Sequence, residues 1–270
     1  MELDYHDGST VQLDFDEKKH YYTVEGEYAP SVTTILDSIA KPALIPWAAR
    51  HEREYVVNVA GKVYENLSTT FAEHIPAQDF RKDLEQGLDD PAHKTLLKKA
   101  GSIGTEVHNL ADWFIAGELG KKRKTDPPKL TTDEARRSFR RWKDWRDSVN
   151  LKPLHSEEQV ASLLHNYAGT LDLYAEVDGE LCVVDYKTGK RVYEESFLQN
   201  CAYRMALHEQ GHKTDGGWII RLPKDADDAP FEAVKVPPLD TLIQPWLAAL
   251  MLYRWVDNNK KERYGKAHPS

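Results

Sequence analysis

The chain has 270 residues, 40% of them hydrophobic and 30% charged, with 15 Gly and 14 Pro. That balance describes a globular chain and excludes collagen-like and wholly disordered classes. No apolar run approaches the ~20 residues that cross a bilayer, and the acidic start Met1-Glu2-Leu3-Asp4-Tyr5 differs from a leader that opens basic and turns apolar. The expected location is therefore intracellular, in the cytoplasm, with no membrane partner. Cys182 and Cys201 are the only two cysteines, too few for a disulfide scaffold, a four-thiolate zinc site or a protein-held iron–sulfur cluster. The formal charge of −8 argues against coating nucleic acid by bulk electrostatics, but not against carboxylates that hold divalent cations.

The alternating, aromatic segments 11–15 and 21–24 predict a small hairpin closed by Gly26. Ser31 is a helix cap for 31–36, and Lys41-Pro42 breaks that helix. An amphipathic helix is expected over about 47–67, followed by a polar, weakly patterned stretch to Asp90. Ile103, Val107, Leu110, Ala111, Phe114 and Ile115 recur at helical spacing over 101–119. Thr132 or Asp133 caps a helix to about Val149 that is rich in Arg and Lys. There, Arg140 and Arg141 on phosphates with Trp142 or Trp145 on bases is one reading. A solvated basic face over two core tryptophans is the other. Strands are predicted over 158–163, 169–177, 180–187, 217–222 and 231–236, with helices over 194–209 and 239–256. This pattern predicts an N-terminal accessory layer (1–100), an α/β core (101–256) and a frayed tail (257–270).

Asp178-Gly179 is a favoured two-residue hairpin turn, because both residues tolerate positive φ. With that turn as the loop, Val177 faces Glu180, and Asp172 faces Asp185 further along. Alternation then places Leu171, Leu173, Ala175, Val177, Cys182, Val184 and Tyr186 on one face and Asp172, Asp185 and Lys187 on the other. Facing carboxylates ~4.5–5.5 Å apart repel. One reading is a surface hairpin whose aspartates are solvated and paired by Lys187. The other is a covered face on which a hard divalent cation, Mg²⁺ or Mn²⁺, relieves the repulsion.

Asp172 followed by Asp185-Tyr186-Lys187 resembles the PD-(D/E)XK nuclease signature. Gly101-x-x-Gly104-Thr-Glu-Val-His108, Glu158 before Val160, and Gln199-x-x-x-Tyr203 are similar to the remaining motifs of its RecB-type exonuclease branch. The segments 31–36 and 167–172 look like phage-type and mitochondrial genome maintenance exonuclease-like members. The resemblance implies a restriction-endonuclease-like central mixed sheet flanked by helices, with the N-terminal hairpin and helices as an accessory layer. It implies a Mg²⁺- or Mn²⁺-dependent DNA exonuclease acting at single-stranded or frayed ends in recombination, repair or replication. The alternatives are a flap or structure-specific endonuclease and a binding module that has lost catalysis. By the same resemblance His108, Asp172, Asp185 and the Tyr186 carbonyl hold metal, and Lys187 orients or deprotonates the attacking water. Glu158 is preferred over Glu157 as the site glutamate, and Gln199 and Tyr203 form a polar clamp near Lys187 and the DNA backbone. With two cysteines, no iron–sulfur cluster of the kind some members carry is expected.

Overall fold

A computed structural model describes residues 1–17, 21–39, 44–70, 75–88, 92–121, 126–225 and 231–264. The chain divides into two compact units: 1–39 with 103–270, and 40–102. The boundary expected near residue 100 therefore does not separate everything N-terminal to it. The first strands pack with the core, their apolar residues clustering with Ala161 and Ala168.

Those strands are β1 (Glu2–Asp4), β2 (Thr10–Asp16), β3 (Tyr21–Val24) and β4 (Glu27–Ala29), an antiparallel meander in sequential order. The expected hairpin is its centre. Its inward face, including Leu13, Tyr22 and Val24, packs on Ala161 and Ala168, and the Tyr5 hydroxyl donates to the Ala161 carbonyl at 2.9 Å. Helix α1 (Val32–Leu36) follows, capped as expected by Ser31, whose Oγ accepts from the Thr34 amide at 3.0 Å.

The second unit contains α2 (Leu44–Thr70), α3 (Ala77–Gly87) and the start of α4 (Ala92–Glu118). Helix α3 lies where only a polar stretch was expected. Its N-cap is Pro76, without a side-chain cap, and none of its residues is buried. The Tyr55 hydroxyl donates to the Gly87 carbonyl at 3.1 Å, and the His93 amide donates to Glu52 at 2.9 Å.

The remaining elements are α5 (Asp133–Ser148), β5 (Leu151–Ser162), β6 (Tyr167–Val177), β7 (Glu180–Lys187), α6 (Glu194–Glu209), β8 (Gly216–Arg221), β9 (Glu232–Lys235) and α7 (Leu239–Tyr264). The five strands form one mixed sheet in sequential order, and only the β7–β8 pair is parallel. Helix α6 makes that crossover. Helices α1, α6 and α7 cover one face through Ile35, Ala202 and Trp246. Helices α4 and α5 cover the other through Val107, Ile115 and Trp142. This is the expected restriction-endonuclease-like arrangement, a mixed sheet between helical layers.

Three details depart from expectation. Strand β5 begins at Leu151 and crosses Pro153, where the register shifts before His155; an edge strand tolerates a residue with no N–H to donate. Residues 257–264 continue α7 and are not frayed, while 265–270 lie outside the described residues. Trp142 and Trp145 are 1% and 3% exposed, so they are core residues and offer no face for base stacking. Among the described residues no helix is long and apolar enough to cross a membrane.

Candidate active site

The β6–β7 hairpin turns at Asp178-Gly179, with φ of +51° and +92°. Its register runs from Val177 opposite Glu180 to Leu173 opposite Val184 and ends there. Asp172 and Asp185, one step further, are not paired as the turn alone suggested. Instead Asp172 Oδ2 accepts from the Tyr186 amide at 2.7 Å, so a carboxylate replaces a backbone carbonyl as the acceptor. The predicted face also changes at this point. Leu171 belongs to the α6 side and Leu173 to the α4 side, so the alternation slips by one at Asp172.

The same slip occurs across the sheet. Ser156 pairs with Leu173 and Glu158 with Leu171, while Glu157 between them has no partner and φ of +48°. A glutamate in the left-handed region is uncommon and marks a local distortion. It turns Glu157, not Glu158, toward Asp172. Glu158 instead lies 3.4 Å from His155 Nδ1, outside the cluster, and this corrects the preference for Glu158. Adjacent glutamates on an ideal strand point to opposite faces, and sequence alone does not show which one a bulge selects.

One ligand atom each from His108, Glu157 and Asp172 lies within 4.8 Å of the others. His108 Nδ1 is 3.1 Å from Asp172 Oδ1. Helix α4 delivers the histidine. Gly104, one turn earlier, has no Cβ, and an added one would lie 3.2 Å from Thr188 Oγ1, so the glycine lets the helix approach the end of β7. One turn later, Asp112 accepts from the Ser156 hydroxyl at 2.6 Å and holds β5 beside Glu157.

Asp185 lies on the α6 side, 2% exposed, and is paired with Lys187. The lysine donates to Asp185 Oδ1 and to Gln199 Oε1, each at 2.9 Å, and Gln199 Nε2 donates to the Tyr203 hydroxyl at 3.0 Å. Tyr203 is 3% exposed and faces Gly169, where an added Cβ would come within 2.6 Å of its ring. The Gln199–Tyr203 pair, with Gln199 half-buried and Tyr203 buried, therefore braces Lys187, and its expected contact with the DNA backbone has no exposed tyrosine surface to use. The Tyr186 ring is buried against Trp142, Trp145 and His108, which anchors the end of β7. Arg140 is exposed, and Arg141 pairs with Asp144 at 3.2 Å.

The cluster opens into a cavity of about 480 Å³, also lined by Thr105, Asn109, Thr188 and Gly189. Asn109 and Ser156 were not singled out in the sequence; no motif marks them, although Asn109 adjoins His108. The charges are strongly coupled. Burial lowers the His108 pKa, but the Asp172 charge and hydrogen bond outweigh it and raise it to about 9. Burial raises Asp172, and His108 and Lys187 reverse this to a net depression. Glu157 is exposed as a residue, yet desolvation of its carboxyl and the Asp172 charge push it up to about 8. Asp185 is raised to about 6 by burial, against the pull of Lys187. Burial opposes the Lys187 charge, but Asp185 and Asp172 prevail and hold its pKa above the usual value.

The donor set fits a hard divalent cation. An imidazole nitrogen and carboxylate oxygens converge as octahedral cations require. Asp185 Oδ2 is buried beside the Lys187 ammonium, 2.7 Å away.

The family model of the PD-(D/E)XK nuclease superfamily matches residues 78–262, and the chain belongs to that superfamily. No curated protein sequence matches the chain significantly. Among solved structures, the crystal structure of a "Putative exonuclease" from Eubacterium rectale aligns with a TM-score of 0.40 and 13% identity, covering 77% of this chain and 82% of that one.

Proposed function

We propose that the chain is a divalent-metal-dependent deoxyribonuclease that hydrolyses phosphodiester bonds at single-stranded or frayed DNA ends. The observation that carries this reading is the convergence of His108, Glu157 and Asp172 on an open cavity beside the braced Asp185–Lys187 pair. His108, Glu157, Asp172 and Asp185, with the Tyr186 carbonyl, would hold Mg²⁺ or Mn²⁺. When bound, such an ion polarises the phosphoryl oxygen and lowers the pKa of a coordinated water.

The protein's own groups do the positioning. Lys187, kept cationic by Asp185 and Asp172, presents its ammonium to the phosphate and orients the attacking water. Gln199 and Tyr203 fix the lysine's direction, and exposed Arg140 and Arg141 serve as phosphate contacts on α5. The preference for DNA ends over internal sites rests on the resemblance to the exonuclease branch.

The test is digestion of linear single-stranded, linear duplex and covalently closed circular DNA in Mg²⁺ or Mn²⁺. Linear substrates should be degraded and closed circles spared, with activity lost in EDTA and in Lys187→Ala. Cutting of closed circles would assign the endonuclease reading. Equal background cleavage by wild type and Lys187→Ala would assign a binding module.

A further inference from the structure

The segment from the end of β7 to the start of α6 carries groups that the catalytic cluster does not use. Thr188 and Gly189 line the cavity. Next come Lys190 and Arg191, both exposed, and then Val192 and Tyr193. The guanidinium carbon of Arg191 lies 4.7 Å from the centroid of the Tyr193 ring, a cation–π stack. Arginine thus covers the ring, yet Tyr193 remains 37% exposed. A Cβ added to Gly189 would lie 3.6 Å from the Arg191 carbonyl and 3.9 Å from Tyr193 Cε2. The ring therefore packs against the same backbone that walls the cavity.

The electrostatic setting gives this rim a role. The chain carries a net −8, and within the cavity Glu157 and Asp172 stand against His108 and Lys187. A phosphodiester must be attracted locally, because the molecule as a whole repels it. Among the described residues neither Lys190 nor Arg191 forms an ion pair with a carboxylate, and both directly follow Gly189, which lines the cavity. An aromatic ring beside such cations matches the chemistry of single-strand binding, in which bases stack and the backbone follows positive charge. A base within a duplex is already stacked on its neighbours, so such a platform selects unpaired nucleotides.

Resting on the nuclease reading above, we infer that the Arg191–Tyr193 pair is the stacking platform for a base of an unpaired strand entering the site. Lys190 and Arg191 hold the flanking phosphates. Tyr193 binds substrate, and the hydrolytic cluster acts on the phosphate beside it.

The experiment uses the full chain in EDTA, which prevents cleavage. A short oligothymidylate with one 2-aminopurine near its end reports stacking through fluorescence quenching, and a blunt duplex of the same length is the control. Wild type should quench the probe. Tyr193→Ala should weaken single-strand binding roughly tenfold and abolish quenching, in keeping with the energy of one base–aromatic stack. Tyr193→Phe and Tyr193→Trp should retain both, and duplex affinity should change less than twofold, on the order of 0.4 kcal/mol. Lys190→Ala should lower the salt dependence of binding without affecting quenching. If Tyr193→Ala binds and quenches like wild type, or weakens single strand and duplex equally, the inference is refuted while the nuclease reading stands. If wild type neither binds nor cleaves any DNA, the nuclease reading fails first and the inference with it.

Discussion

Replacing Lys187 by Met keeps the aliphatic stem and removes the charge that accompanies Asp185 in the sheet. The ammonium lies 2.7 Å from Asp185 Oδ2, a gross attraction on the order of 6 kcal/mol at an effective dielectric near 20. Removing one partner of a buried pair costs about 3–5 kcal/mol if the other must stay ionised. Asp185 need not stay ionised. With the lysine present, burial has already raised its pKa from 3.8 to about 6, so ionising it costs stability as pH rises from 3.8 to 6. Without the lysine the folded pKa rises further, and that window extends upward. Once the variant's Asp185 is fully protonated, the gap to wild type is limited to about 1.36 kcal/mol per pH unit above 6. Proton uptake therefore limits the part of the loss that comes from Asp185 to about 3 kcal/mol at pH 8, the low end of the cost of a stranded charge, and shrinks that part as pH falls toward 6. Urea unfolding in EDTA at pH 6, 7 and 8, with the m-value unchanged, measures this gap. A difference that is constant across that range, or that widens as pH falls, would refute the assignment of Asp185 as the buried acid compensated by Lys187.

Glu157→Gln should weaken Mn²⁺ binding by calorimetry and slow cleavage by at least ~10–100-fold, the range for groups that hold or orient a metal, whereas Glu158→Gln should leave both close to wild type; the reverse order would restore the glutamate that the sequence favoured. Gly169→Ala places a Cβ 2.6 Å from Tyr203 and 3.3 Å from Val32. It should cost about 1–3 kcal/mol by overpacking and lower kcat by disturbing the brace on Lys187, and unchanged stability would refute that close approach. His108 and Glu157, raised to about 9 and 8, hold protons at pH 7 that a cation must displace. Mn²⁺ affinity should therefore rise between pH 7 and 9, with proton release shown by calorimetry in buffers of different ionisation heat, and a pH-independent affinity would refute those proton-bearing states.

The elements legible in sequence are those whose local chemistry and tertiary role agree. Ser31 caps α1, Thr132 caps α5 with its hydroxyl accepting from Ala135, and Asp178-Gly179 turns the hairpin. Helix α6 has the bounds that its pattern predicts. What was missed lacks such agreement. Strands β1 and β4 have three residues each, too few for alternation to register. Helix α3 buries no residue and begins at a proline, so neither an apolar stripe nor a side-chain cap announces it. Helix α4 begins at Ala92, ahead of Gly101, where the pattern places its start. In the candidate site, the placement of His108, Asp172, Asp185 and Lys187 could be read because each sits in regular structure with a spacing that resembles a known family. Glu157 could not, because its direction depends on a positive φ in the middle of a strand.

That irregularity also explains why the two aspartates coexist. An unbroken ladder would have set Asp172 and Asp185 face to face, with one lysine between two buried negative charges. The pairing instead ends at Leu173 opposite Val184, and both β5 and β6 slip by one residue at Glu157 and Asp172. Asp172 then turns toward α4, where His108 and the Tyr186 amide hold it. Asp185 remains toward α6 with Lys187 and Gln199. Each carboxylate has its own cation, His108 from helix α4 and Lys187 from the end of β7, and the charge is shared between the two sides of the sheet. The cavity lies where those two halves meet, and the slip that lets the sheet accommodate both acids also turns Glu157 toward it.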